Sequence, residues 1–216
     1  NEYYYGSGFI EKDGWNLLAS SDEWTAPIQG TVGPDGNVWI IDWYNFIVQH
    51  NPTPKGFKNG KGNAHINPLR DKTHGRIYRL IYLNNQETQV ILDPKNPFSL
   101  LNGLKNSNLF WRLHAQRLII ENRYYNLIED LLQLITTSVP DEINVNAPAV
   151  HAIWTLSGLN KMSNFKVLDV VYKALRNENA GVRKAALQAL PDTKETLTQL
   201  IESGVFYDPD LNTRLA

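Results

Sequence analysis

Apolar residues follow two different periods along this chain. Up to about residue 97 they come in short runs punctuated by Gly, Pro and Asp, and Trp15, Trp24, Trp39 and Trp43 all fall in this part. Short runs with such punctuation predict strands and turns. In Gly33-Pro34-Asp35-Gly36 the proline ring presets φ and the last glycine tolerates a positive φ, so a turn is predicted there. The β-branched and aromatic stretch Asn37–Trp43 that follows predicts a strand. A second strand is predicted over Arg76–Leu83. Ile77, Arg79, Ile81 and Leu83 alternate there with Tyr78, Leu80 and Tyr82, so both faces are expected to be partly buried. Gln89–Leu92 is expected to pair with it across a turn at Asn84-Asn85. Between the two strands lies a long polar loop, Gln49–Thr73, of the kind that is functional or mobile in compact domains. Its lysines Lys55, Lys58 and Lys61 surround Gly60-Lys61-Gly62-Asn63, which lacks the spacing and the terminal Ser or Thr of a phosphate-binding loop, so a solvated loop is the reading preferred.

After Pro94 and Pro97 the period changes to about 3.6, which predicts amphipathic helices separated by short polar turns. A repeat emerges when Asn108–Leu118, Val145–Leu156, Asn179–Leu190 and Asp210–Ala216 are laid over one another. With Arg112, Ala149, Arg183 and Arg214 taken as equivalent, the steps are 37, 34 and 31 residues. The small residues Ala115, Ala152 and Ala186 then share one position and let paired helices approach closely. Such periods predict a stacked helical solenoid whose units lean on their neighbours. The fold class expected is β plus α: partial β-propeller blades over residues 1–97, then HEAT-like helical repeats over 98–216. About a hundred β residues supply roughly one to two four-stranded blades, while closure takes about four or more. The last repeat stops at Ala216, within its first helix, so the expectation is a fragment of a longer protein.

Composition narrows the partners. Lys and Arg number 21 against 22 Asp and Glu, a balance that lacks the basic footprint of a nucleic-acid binder. There is no cysteine, which excludes disulfides, thiolate ligands and covalent haem attachment within these residues. No apolar run approaches the ~20 residues of a membrane-spanning helix, and Asn1–Gly6 is unlike a signal peptide.

The segment Val32–Asn45, with its Asp42-Trp43-Tyr44-Asn45, followed by His50 and then by Arg70-Asp71-Lys72-Thr73-His74-Gly75-Arg76-Ile77-Tyr78-Arg79, resembles one bacterial family. Its members are membrane-bound dehydrogenase proteins, in which a propeller of the glucose/sorbosone dehydrogenase type is followed by HEAT repeats. The resemblance continues through Trp111–Leu118 and His151–Gly158. It implies a periplasmic or secreted protein acting on sugars or related compounds, with haem supplied only through a further domain. For sugar dehydrogenases that use a quinone, such as pyrroloquinoline quinone, it implies a histidine base and arginines on the cofactor; Arg76 and Arg79 are the nearest arginines. Whether the parent protein is an enzyme is left open. The alternative is a noncatalytic module whose repeats bind a protein or a polysaccharide.

Asp42, Asn45, His50, Asp71 and His74 flank the long loop, and strand ends with their loops converge on one face of a propeller. Asp42, Asn45 and Asp71 are candidate ligands of a divalent metal, since carboxylate and amide oxygens suit hard cations. Asp42 and Asn45 have a second reading as turn-fixing residues that bond backbone amides, and Asp71 as a partner of Arg70 or Arg76. His50 or His74 is the candidate general base, because imidazole titrates near neutral pH. Arg76 and Arg79 fall on opposite faces of a regular strand, so both reach one cofactor only across a bulge or if the strand starts after Arg76. His65 is read as solvated, His114 and His151 as equivalent packing residues between helices, and Tyr3-Tyr4-Tyr5 as part of a strand with sugar stacking as its rival role.

Overall fold

The computed structural model describes residues 17–22, 24–45, 55–56, 58, 73–83 and 90–216. The fold is mixed α and β, with three antiparallel strands and eight α-helices among the described residues. The chain divides into two compact units, one of residues 1–31 and 37–83, the other of residues 32–36 and 84–216.

In the β unit the strand order is β1 (Pro27–Val32), β2 (Val38–Asp42), β3 (Arg76–Leu80). Proline is tolerated as the first residue of edge strand β1, where its missing N–H interrupts no ladder. Val38 stands opposite Leu80, Trp39 opposite Arg79, Ile40 opposite Tyr78, Ile41 opposite Ile77 and Asp42 opposite Arg76. Directly opposed residues share a face. Ile40, Asp42, Arg76 and Tyr78 therefore lie on one side of the sheet, and Trp39, Ile41, Ile77 and Arg79 on the other. Burial follows that division: Ile40 and Asp42 are buried, whereas Ile41 and Ile77 are 46% and 69% exposed.

Two strand expectations are corrected here. The ladder of β3 ends at Leu80, and Ile81, Tyr82 and Leu83 continue exposed beyond it. Val90–Leu92 is not a strand; the partner of β3 is β2, and Leu92 packs against the helical core. An apolar tetrapeptide serves a sheet or a helical core equally well, and tertiary contacts choose between them. The turn at 33–36 forms as expected, with the Gly36 N–H donating to the Gly33 carbonyl at 3.1 Å and Gly36 at φ 76°.

The helices of the second unit are α1 (Pro97–Gly103), α2 (Leu109–Glu121), α3 (Ile128–Thr137), α4 (Ala147–Gly158), α5 (Phe165–Ala174), α6 (Ala180–Ala189), α7 (Lys194–Ser203) and α8 (Leu211–Leu215). Seven of them start at a side chain that accepts a helix amide: Asn96, Asn108, Asn146, Asn164, Asn179, Thr193 and Asp210. Such caps satisfy donors that the first turn leaves open. Helix α3 has no side-chain cap but carries Glu129 and Asp130 in its first turn, where negative charge meets the positive end of the helix dipole.

Helix α2 packs on α1 and α4, α4 on α6, and α6 on α8, while α3 packs on α4 and α5, and α5 on α6. One continuous core runs through Leu104, Ile119, Leu131, Ile153, Val171 and Val182, all fully buried or nearly so. Ala115, Ala152 and Ala186 are completely buried, in keeping with close helix approach. At Gly103 the approach is close as well: an added Cβ would lie 2.7 Å from that of Ala115.

A capping motif repeats ahead of the even-numbered helices: Asn106-Ser107-Asn108, Asn144-Val145-Asn146, Asn177-Glu178-Asn179 and Asp208-Pro209-Asp210. In three copies the first side chain accepts the N–H of the third residue, at 2.8 Å for Asn106, 2.9 Å for Asn177 and 2.8 Å for Asp208. Four residues after each cap stand Arg112, Val150, Arg183 and Arg214. Val150, not Ala149, therefore occupies the arginine position, and the physical repeat is one residue out of step with the register read from sequence similarity in α4. The histidine equivalence fails with it. His114 bonds the Phe110 carbonyl of its own helix through Nδ1, at 2.8 Å, and stacks on the Phe110 ring, whereas buried His151 reaches from α4 to Gln116 Oε1 of α2 at 2.7 Å.

Candidate functional site

Asp42 closes β2 and organises the surroundings of the strand end. Its Oδ1 accepts the backbone N–H of Ala26 and of Tyr44, both at 2.7 Å, and its Oδ2 accepts the Tyr78 hydroxyl at 2.7 Å. Burial works to raise the pKa of this carboxyl, but the Tyr78 hydroxyl and the two amides outweigh it and hold the acid below its ordinary value. The bond to the amide two residues on is the local turn that aspartate favours. It holds Tyr44 at φ 51°, in the left-handed region that non-glycine residues avoid. Strain of that kind collects at functional positions.

Its consequence is the placement of the Tyr44 ring. The Arg76 guanidinium lies over that ring at 3.5 Å from the centroid, and the Trp24 ring lies beside it with centroids 5.9 Å apart. Arg76 also donates to Asp22 Oδ2 at 3.2 Å and to the Tyr78 hydroxyl at 3.4 Å. Asp22 in turn accepts the Trp24 amide at 3.0 Å, the main reason that its carboxyl is held below its usual range. Burial and the hydrogen bond with Asp22 push the Tyr44 phenol up. Trp24, Tyr44, His74 and Arg76 line a pocket of about 330 Å³ that is open to solvent. His74 Nδ1 stands 3.1 Å from the Thr73 hydroxyl.

The site candidates separate accordingly. Asp42, His74 and Arg76 come together, although Asp42 does so beneath the pocket as its support. Asn45 is buried at the same strand end and does not line the pocket. His50, Asp71, His65 and Tyr3–Tyr5 lie outside the described residues. Arg79 is on the opposite sheet face, 5.7 Å over the Trp39 ring. Strand β3 is regular from Arg76 onward, so the two arginines do not converge, and the pair does not fit a single quinone. Among the described residues no three His, Asp or Glu side chains assemble as a metal site. The carboxylate of Asp42 is committed to three protein donors, the turn-fixing role rather than that of an open ligand.

Trp24, Tyr44, Asp22 and Tyr78 complete the site, and the sequence reading did not select them. For Tyr44 a signal existed: it sits inside Asp42-Trp43-Tyr44-Asn45, next to the acid that fixes its backbone. Trp24 and Asp22 are distant in sequence and carry no local mark of their role.

The arrangement offers two aromatic faces, a guanidinium paired with a carboxylate, and an imidazole at the rim. Rings can stack on the apolar face of a ligand, Arg76 and Asp22 can donate and accept at adjacent polar groups, and His74 can accept a proton.

A family model described as a domain of unknown function, DUF7133, matches residues 4–84. That stretch ends one residue beyond the β unit, whose last residue is Leu83. No curated protein and no solved structure matches the chain.

Proposed function

We propose that the chain is part of an exported propeller dehydrogenase-like protein, in which the β unit forms one wall of a site for sugars or related neutral polyols. The observation that carries this reading is the pocket of Trp24, Tyr44, His74 and Arg76, with Asp22 neutralising Arg76. A charge-compensated guanidinium beside two rings suits an uncharged ligand with adjacent hydroxyls better than an anion. In this reading the rings of Trp24 and Tyr44 take the ligand's C–H face, Arg76 and Asp22 bond its hydroxyls, and His74 accepts a hydroxyl proton. The resemblance read from sequence supports the same class, a periplasmic or secreted setting, and the assignment of the three strands to a propeller blade and of the helices to HEAT-type repeats. Helices that pack on the next helix but one, with a recurring cap, support the second assignment.

The test is calorimetric titration of the protein with a panel of neutral monosaccharides and matching uronic acids, repeated with Tyr44→Ala and His74→Ala. Saturable binding of a neutral sugar, weakened by about tenfold or more with Tyr44→Ala as expected for loss of a stacking ring, supports the proposal. Equal binding in wild type and Tyr44→Ala, or none of any sugar, overturns it.

A noncatalytic repeat module is the second reading. Leu197 and Ile201, one turn apart on α7, are 53% and 63% exposed and present an apolar stripe. No helix among the described residues is long and apolar enough to cross a membrane.

A further inference from the structure

The pocket lined by Trp24, Tyr44, His74 and Arg76 owes its charge balance to a residue that is not in the lining. Asp22 is set in place by its own turn: its backbone N–H donates to Ser20 Oγ, its carbonyl accepts the Thr25 N–H, and its Oδ1 accepts the Trp24 N–H, each at 3.0 Å. Its Oδ2 then accepts Arg76 Nη1 at 3.2 Å, and the same carboxylate bonds the Tyr44 phenol. Three of the four lining residues thus meet Asp22.

Arg76 keeps an edge in reserve. Its Nη1 donates to Asp22 and to the Tyr78 hydroxyl, and among the described residues no acceptor meets Nε or Nη2. With 41% of its side chain exposed, Arg76 can offer that edge to a ligand in the pocket. The edge is a rigid fork of two donors, which a carboxylate and a pair of neighbouring hydroxyls both satisfy. Shape does not separate the two ligands, so charge has to. The Trp24 amide first, then the Tyr44 phenol and Arg76, hold the Asp22 carboxyl below its usual range, so it is ionised at neutral pH. Asp42 adds a second negative charge that acts on Arg76, with Tyr78 bonded to both. A third carboxylate, brought in by an acidic ligand, is repelled.

Building on the reading of this pocket as a sugar site, we propose that Asp22 is its specificity-determining residue, which admits neutral vicinal diols and excludes sugar acids. Asp22 acts by repulsion, the element that distinguishes selective sites from merely adhesive ones. Asp42 has both oxygens committed to Ala26, Tyr44 and Tyr78 as the support of the strand end, so the charge that can be exchanged without loosening the sheet is that of Asp22.

The experiment is calorimetric titration at about pH 8, where free imidazole is neutral, with glucose and galactose against glucuronate and galacturonate, which differ from them only at C6. It compares wild type with Asp22→Asn, Asp22→Ser, Asp22→Glu, and Asp22→Asn combined with Arg76→Gln. Asparagine and serine keep an acceptor for the Trp24 amide, and the near-UV circular dichroism of Trp24 and Tyr44 checks that the turn persists. Wild type is expected to bind the neutral sugars at least about tenfold more tightly than the uronates. The neutral variants should gain about tenfold in uronate affinity, with the neutral sugars changed far less. Asp22→Glu should keep the wild-type ratio, and adding Arg76→Gln should remove the gain. If wild type binds neutral sugars and folded Asp22→Asn or Asp22→Ser leaves the ratio unchanged, the role of Asp22 is overturned while the sugar reading stands. If wild type binds no neutral sugar, the sugar reading falls and the uronates alone decide: affinity gained in the neutral variants and lost with Arg76→Gln upholds the charge filter, and no gain overturns it. Uronates bound by wild type as tightly as neutral sugars overturn it as well.

Discussion

Asp42 and His151 show opposite uses of a buried titratable group. Asp42 is kept charged, and three donors depend on it. Asp42→Ala leaves those donors without their acceptor and releases Tyr44 from a conformation that costs about 1–2 kcal/mol. The β unit is expected to lose about 3 kcal/mol, read by denaturant unfolding, and the near-UV circular dichroism of the Trp24 and Tyr44 rings should change. The native pKa of Asp42 lies below the ordinary 3.8. Its contribution is therefore present above pH 3.8 and lost as pH falls through the lower native value. His151 is kept neutral, first by burial and then by the charge of Arg112, and its pKa falls from 6.5 to about 4. Between those values the unfolded chain binds the extra proton, so stability declines as pH falls from 6.5 towards 4. His151→Gln retains a partner for Gln116 without that proton, and its unfolding free energy should be flatter across the same window. An unchanged slope would assign the acid sensitivity to other groups.

At the scale of elements, the helices owe their starts to local chemistry and their order to a few contacts between helices of the same unit. The Arg183–Asp208 pair is the strongest of these, since a two-pronged buried pair leaves a bare charge when one partner is removed. Asp208→Ala is expected to destabilise the helical unit by roughly 3–5 kcal/mol, measured as a shift in the denaturation midpoint followed by helix signal. A loss under 1 kcal/mol would mean that Arg183 finds another acceptor. The exposed pair Lys173–Asp169 on α5 is the contrast, with side chains 72% and 48% exposed, and such pairs contribute little. The sequence reading did not single out the caps, although a cap needs only a short acceptor side chain at the right offset from its own helix, as at Asn108, Asn146 and Asn179. The register of the repeat was misread by one residue in α4, because similarity around His151-Ala152 outweighed the caps that set the helix start.

For the molecule as a whole, the two units differ in core. The helical unit holds a long run of fully buried aliphatic residues from Leu100 to Val182, whereas Ile40 is the one fully or nearly buried apolar residue among the described residues of the β unit. Native-state hydrogen exchange should accordingly show strong protection over α2 to α6 and weaker protection over β1 and β3, since local opening follows local burial. Equal protection in both would show that the exposed sheet face carrying Ile41 and Ile77 is covered in solution.

The sequence by itself determined the change of period near residue 97, the turn at Gly33–Gly36, a strand within Asn37–Trp43, the helices and their small contact residues, because these follow from backbone preferences and side chains close in the chain. It also placed Arg76 and Arg79 on opposite faces, a consequence of the two-residue period. Only the tertiary structure decided that β3 pairs with β2, that Leu92 belongs to the helical core, that Asp42 supports a pocket completed by Trp24, Tyr44 and Arg76, and that Arg183 pairs with Asp208. Those outcomes depend on which distant segments meet, and segments with the same apolar pattern or the same charge compete equally well until packing and burial separate them.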